Sequence, residues 1–239
     1  MPSDGRVTRG LGLLIAGLLC APAHAGADWL AAAYLGHAAT QPSTISLALP
    51  DRQTRLEIVD AEYRGESFVS PQYYGLRVGW IPDGRWLGVE AEFIHAKVYT
   101  QTGRVARIRG TLDGAPIDAS LPLSSVVQRL AMSHGLNFLL ANLVVRREFG
   151  RVTIAGRAGA GPTLPHAEST IGDAARDRLE GGGAGAQVGA GVDLALWRGL
   201  GLLGEYKFTW VDANIDVAGG NATIPARSHH IVFGTSWRF

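Results

Sequence analysis

The chain has 239 residues, 46% of them hydrophobic and 18% charged, with 32 glycines, a single cysteine and a formal net charge of +1. One cysteine excludes a disulfide scaffold, and the apolar content excludes a disordered tail. The balance of basic and acidic side chains argues against nucleic acid as a partner, since that affinity comes mostly from neutralised phosphates.

The N-terminal residues carry Arg6 and Arg9, then an apolar run over 11–21, then Ala23-His24-Ala25. This is the layout of a cleaved secretory signal, and the run is too short to span a bilayer. Residues 1–25 therefore read as a signal peptide and 26–239 as one exported domain. Cleavage removes Asp4, Arg6, Arg9 and Cys20, leaving 214 residues with 20 basic and 20 acidic side chains. A lipid anchor on Cys20 is disfavoured because Leu19 stands where a small residue is required.

Beyond residue 25 no run of 18 apolar residues occurs, and glycine and β-branched residues are too frequent for long helices. Period-two alternation recurs over 29–38, 72–81, 86–99, 127–147, 151–161, 185–196, 200–215 and 228–239, which predicts eight strands. The connections at 82–85, 148–150 and 197–199 are short, and the other four run from about ten to about thirty residues. The longest, over 39–71, contains an alternating piece at 55–63, either a hairpin above the barrel or a pair of extra strands that raises the count to ten. Tight turns at one end and long loops at the other predict an all-β fold, an eight-stranded antiparallel up-and-down transmembrane β-barrel with four extracellular loops and periplasmic termini.

The two faces of each strand support this. Ile231, Phe233, Thr235, Trp237 and Phe239 alternate with His230, Ser236 and Arg238, and Tyr206, Phe208 and Trp210 alternate with Glu205, Lys207 and Thr209. A lipocalin would turn its apolar set inward and its charged set to water. Here the polar set is small and rich in glycine, which fits a narrow lumen. Trp29, Trp80, Trp86, Trp197 and Trp237 fall at the strand ends near the short turns, as an aromatic girdle should.

The last strand, Ser228-His229-His230-Ile231-Val232-Phe233-Gly234-Thr235-Ser236-Trp237-Arg238-Phe239, resembles the closing strand of the outer-membrane β-barrel superfamily, in particular its small eight-stranded OmpA-like barrels. The segment over 201–209 is similar to that family's penultimate strand. The resemblance implies location in the bacterial outer membrane and recognition of the C-terminal Phe239 strand by the barrel assembly machinery. It also implies contact with outer-membrane lipid and lipopolysaccharide. The segments over 90–99 and 132–142 are similar to alphaproteobacterial barrels of the lipid A oxidase-like group.

Candidate chemistry lies in two sets. The inward charges Arg77, Glu90, Glu92, Arg157, Asp193, Glu205, Lys207 and Arg238 are four acids and four bases, which predicts a plug of mutual ion pairs. The histidines His37, His95, His134, His166, His229 and His230 all fall toward the long-loop ends. A hairpin between the third and fourth predicted strands places His95 roughly opposite His134, beside Ser133, so these three are the candidate catalytic residues. A metal on that pair would need a third ligand, and a triad would need a carboxylate that only inward Glu90 or Glu92 could supply. Glycine-rich pieces at 159–161 and 181–185 do not open helices and are not phosphate loops.

The expected role is structural or a surface interaction, for which no cofactor is needed. The alternatives are an outer-leaflet enzyme modifying lipid A, oxidase-like in kind and with its cofactor and metal unknown, and a small-solute porin.

Overall fold

The structure, a computed structural model, describes residues 29–82 and 84–239. The signal peptide and its cleavage site lie outside the described residues. In chain order the strands are β1 (Trp29–Thr40), β2 (Ser43–Leu49), β3 (Thr54–Ala61), β4 (Tyr63–Arg64), β5 (Tyr74–Trp80), β6 (Leu87–Thr100), β7 (Val105–Leu112), β8 (Ala115–Pro122), β9 (Arg129–Phe149), β10 (Val152–Ile171), β11 (Ala174–Leu179), β12 (Gly183–Trp197), β13 (Leu200–Val217) and β14 (Gly220–Arg238).

Eight of them form a closed antiparallel ring in the order β1, β5, β6, β9, β10, β12, β13, β14, with β14 returning to β1 from Leu30↔Arg238 to Thr40↔Ser228. Closure leaves no unpaired edge in the ring, the condition a sheet must meet to sit in lipid. At one end the hairpins are tight. Arg198 and Gly199 have φ of 47° and 81°, the two left-handed residues of a turn whose twist matches its strands. Trp29 and Phe239 exchange backbone hydrogen bonds of 3.2 and 3.0 Å beside that end.

The piece at 55–63 is part of a hairpin above the ring, so the ring has eight strands rather than ten. β2 pairs with the top of β14 and with β3, β3 pairs with β7, and β7 pairs with β8. The last strand begins at Gly220 rather than 228 and the fifth runs to Ile171 rather than 161, because the long connections are themselves β-structure that continues the ring outward.

That continuation reverses the chemistry of the two faces. Along β13, Leu202, Tyr206 and Phe208 point outward and Glu205, Lys207 and Thr209 inward; past Trp210 the inward residues are Val211, Ala213, Ile215 and Val217 and the outward ones Asp212, Asn214 and Asp216. β14 reverses at Ser228, with Ala226, Ile224 and Ala222 turned inward above it. The lower part is therefore greasy outside and polar inside, as lipid requires. The upper part is polar outside with an apolar core, to which Ile45, Leu47, Ile58, Ile108, Leu123 and Met132 also belong, as water requires.

Candidate functional site

The lumen within the lower part is filled. Arg77 reaches Glu92 Oε1 at 2.7 Å, Glu205 Oε2 at 3.0 Å and Glu90 Oε2 at 3.3 Å. Arg157 bonds Glu90 at 3.1 Å and also Glu205, and Lys207 bonds Glu92 as well as Glu205 at 2.8 Å. Three bases thus meet three acids, and Tyr34, Asn142 and Gln187 take further places on Glu92. Charges taken out of water need this degree of pairing to be held at all. Below the knot lies a cavity of about 40 Å³, room for a few waters. Arg238 and Asp193 lie at its periplasmic end, where Arg238 bonds Glu148 at 2.9 Å and Ser236 bonds Asp193. Glu90 and Glu92 belong to the plug, so neither orients a histidine at the rim.

The histidines do not form one group. His230 faces the lumen and bonds Thr209 Oγ1 at 2.8 Å. His37 stacks on Phe68, and His229 is held by Tyr206 and Gln41 at 2.6 and 2.7 Å. His95 pairs in register with Asn137, a correction to its expected position opposite His134. Asn137 Nδ2 donates to the Leu164 carbonyl at 2.9 Å, so its Oδ1 must accept from His95 Nδ1 at 2.8 Å, and the proton of that ring sits on Nδ1. Tyr74 stacks on the same ring with centroids 5.0 Å apart.

The displacement has a local cause. Between the pairs Ala96↔Leu136 and Val98↔Met132, β9 advances four residues against two on β6, and between Pro165↔Leu136 and Glu168↔Ala131 it advances five against three on β10. The extra residues bulge over 133–135, where Gly135 takes a φ of +116°. A bulge breaks the strict alternation of a strand. Neighbours Ser133 and His134 can then reach the same carboxylate, Glu168 of β10: Ser133 Oγ donates to Glu168 Oε1, and His134 Nδ1 lies 3.2 Å from that oxygen. Arg129 binds the other oxygen of Glu168. Burial works against ionisation of Glu168, and the bonds from Ser133 and Arg129 overcome it, holding the carboxyl below its ordinary range. The His134 ring lies 4.7 Å from that of His166, whose Nε2 bonds Asp177 Oδ1 of β11 at 2.6 Å. The cluster lies on the outer wall, because the inward neighbours Leu130, Met132 and Leu136 fill the apolar core. It stands just above Leu139 and Leu164, the last outward apolar residues of β9 and β10.

These contacts are not wired as a serine-nucleophile triad. A base must accept the serine proton, and here Ser133 gives it to Glu168 while both neighbours of His134 crowd the same ring nitrogen, 3.0 Å from Ser133 and 3.2 Å from Glu168. Of the sequence candidates, Ser133 and His134 meet, and His95 stands apart at the foot of the bulge. Glu168 and Asp177 were not legible, because the alternation of β10 is interrupted at Pro162 and Pro165 and β11 is short and polar.

Comparison with known families agrees with the closed antiparallel ring. The outer membrane protein beta-barrel domain model matches residues 11–239. The chain belongs to the outer-membrane protein β-barrel family. As a member of that family it resides in the bacterial outer membrane. Similar solved structures include Neisserial surface protein A, 12% identical over 90% of this chain and 100% of that chain with a TM-score of 0.47. The outer membrane protein OprG of Pseudomonas aeruginosa is 12% identical over 90% and 97%, with a TM-score of 0.49. The outer membrane protease OmpT of Escherichia coli is 8% identical over 90% and 99%, with a TM-score of 0.47. Comparison with curated proteins finds no match.

Proposed function

We propose that this barrel works at the cell surface, as a sealed membrane anchor presenting an extracellular β platform for interaction, and that it conducts no solute. The observation that supports this reading is the double filling of the interior, by the ion knot around Glu92 below and by an apolar core above it. On this proposal the barrel assembly machinery recognises the strand ending in Phe239, and lipopolysaccharide surrounds the outer rim. The test is reconstitution of the heat-shifted, folded protein into planar bilayers, where no stepwise ionic conductance is expected. Resolved single-channel steps, absent from a boiled control, would instead establish the porin alternative.

A second reading, an outer-leaflet enzyme that modifies lipid A and is oxidase-like in kind, is favoured by one feature. Ser133, His134 and Glu168 gather on the outward wall just above the apolar band, the height at which lipid A headgroups lie. Expression of wild type and Glu168→Gln in a lipid A reporter strain separates the readings. A lipid A mass change seen with wild type and lost in the folded variant supports the enzyme, and an unchanged mass with wild type refutes it.

A further inference from the structure

We propose that His134, His166 and Asp177 form a binding site for a divalent transition-metal ion of the Zn²⁺ class on the outer wall of the barrel, with Glu168 as the residue that positions His134. This inference is independent of the surface-interaction reading, and it moves the metal site away from the expected His95 pair. One potential ligand atom from each of the three side chains lies within 4.8 Å of the others. Two imidazoles and a carboxylate are a donor set suited to such ions, and three protein ligands leave a fourth position open. His134 and Asp177 are exposed, so that position faces outward, away from the apolar core.

The three donors come from three strands, and each is placed by a specific backbone feature. The bulge over 133–135 aims His134 across β10. His166 follows Leu164 on the outward face of β10. Asp177 is carried by β11, whose strand pairing among the described residues is with β10 and whose Arg176 bonds Asp216 of β13 at 2.7 Å. Donors on one tetrahedral ion stand about 3.3 Å apart, given metal–nitrogen and metal–oxygen distances of about 2.0–2.2 Å. The His166–Asp177 hydrogen bond at 2.6 Å would therefore open by less than about 1 Å to admit the ion, and His134 would close by a comparable rotation of an exposed ring.

Glu168 supplies what metal-bound histidines ordinarily have, a carboxylate on the ring nitrogen that does not touch the metal. Its Oε1 lies 3.2 Å from His134 Nδ1, and Ser133 Oγ, whose own proton goes to Glu168, lies 3.0 Å from the same nitrogen, so both face it as acceptors, which places the proton there and leaves Nε2 with the free pair. Ser133 and Arg129 fix the carboxylate in turn.

The experiment uses the mature barrel without a histidine tag, refolded in detergent and confirmed folded by its heat-dependent gel mobility. Zn²⁺ is titrated by calorimetry, and Co²⁺ binding is followed by visible absorption, which reports nitrogen and oxygen ligation directly. The proposal expects one equivalent of Zn²⁺, loss of at least about 100-fold in affinity in His166→Ala and in His134→Ala, and no change in His37→Ala. Glu168→Gln should weaken binding by about 10–100-fold and shift the Co²⁺ spectrum, which a merely structural role would not do. Should His134→Ala fail to fold, Asp177→Asn at the exposed hairpin edge takes its place. No saturable Zn²⁺ binding by the folded wild type, or equal affinity in His166→Ala, overturns the site.

Discussion

Gly135 is the residue on which the outer rim turns. Its φ of +116° disfavours any other residue, and a Cβ there would stand 2.4 Å from two atoms of the His95 ring and 2.8 Å from Asn137 Oδ1. Gly135→Ala should destabilise the fold by about 1–3 kcal/mol, read from urea unfolding in lipid vesicles, and should pull His134 off Glu168. A variant as stable as wild type would show that the bulge is not held by this glycine. Glu168 makes a second prediction at the same scale. A carboxyl held below its ordinary value adds stability that is fully present above the unfolded value near 4.5 and is lost as pH falls through the folded value. Stability should therefore drop below about pH 4.5 in wild type, and part of that drop should vanish in Glu168→Gln. Superimposable pH profiles would contradict the role given to Ser133 and Arg129.

At the scale of the strand, the two faces carry unequal tolerance, and the lumen is the stricter one. Lys207 is 0% exposed between Glu92 and Glu205, so Lys207→Gln removes a cation that both acids share, leaves three buried acids to two bases, and should cost about 3–5 kcal/mol. Phe208, on the opposite face, packs on Trp210 and His229 near the outer rim, so a charge there can reach water. Phe233 is 57% exposed near the middle of the lipid-facing part of β14 below Ser228, and Phe233→Arg should cost about 2–4 kcal/mol. Unfolding titrations that rank Lys207→Gln as milder than Phe233→Arg would refute the knot as drawn.

The same strands show what the sequence could carry. Alternation marks each membrane-crossing half cleanly, because lipid outside and ions inside make the two faces chemically opposite. It fades where both faces change meaning, as along β13 past Trp210. The β7–β8 hairpin was missed although its turn, Asp113-Gly114 with φ of 48° and 81°, is the favoured hairpin pair. The site was half legible for a related reason. Ser133 and His134 are neighbours in sequence, and their convergence depends on a bulge that no period-two pattern encodes, while Glu168 and Asp177 arrive through strand pairing across 35 or more residues.

For the whole molecule, the interior consists of two seals in series, each built from a different interaction. The lower one is ionic and depends on Arg77, which contacts three of its acids. The upper one is apolar, with Ile45, Leu47, Leu49, Leu56, Ile58 and Ile108 closing the space over the ring under β2, β3 and β7. An ion crossing the lower seal would enter an interior lined mainly by apolar side chains, a penalty that grows with the depth of the apolar layer. Loosening the knot alone should therefore not open a path. The double variant Glu92→Gln/Lys207→Met keeps the knot nearly neutral while thinning it, and in planar bilayers it should remain as silent as wild type. Replacing the segments over 43–61 and 105–122 by short turns in that background should let conductance appear, provided heat-dependent mobility confirms that the ring has closed. Conductance in Glu92→Gln/Lys207→Met with the extracellular part intact would mean that the apolar layer is no barrier and that the lumen is gated by its charges alone.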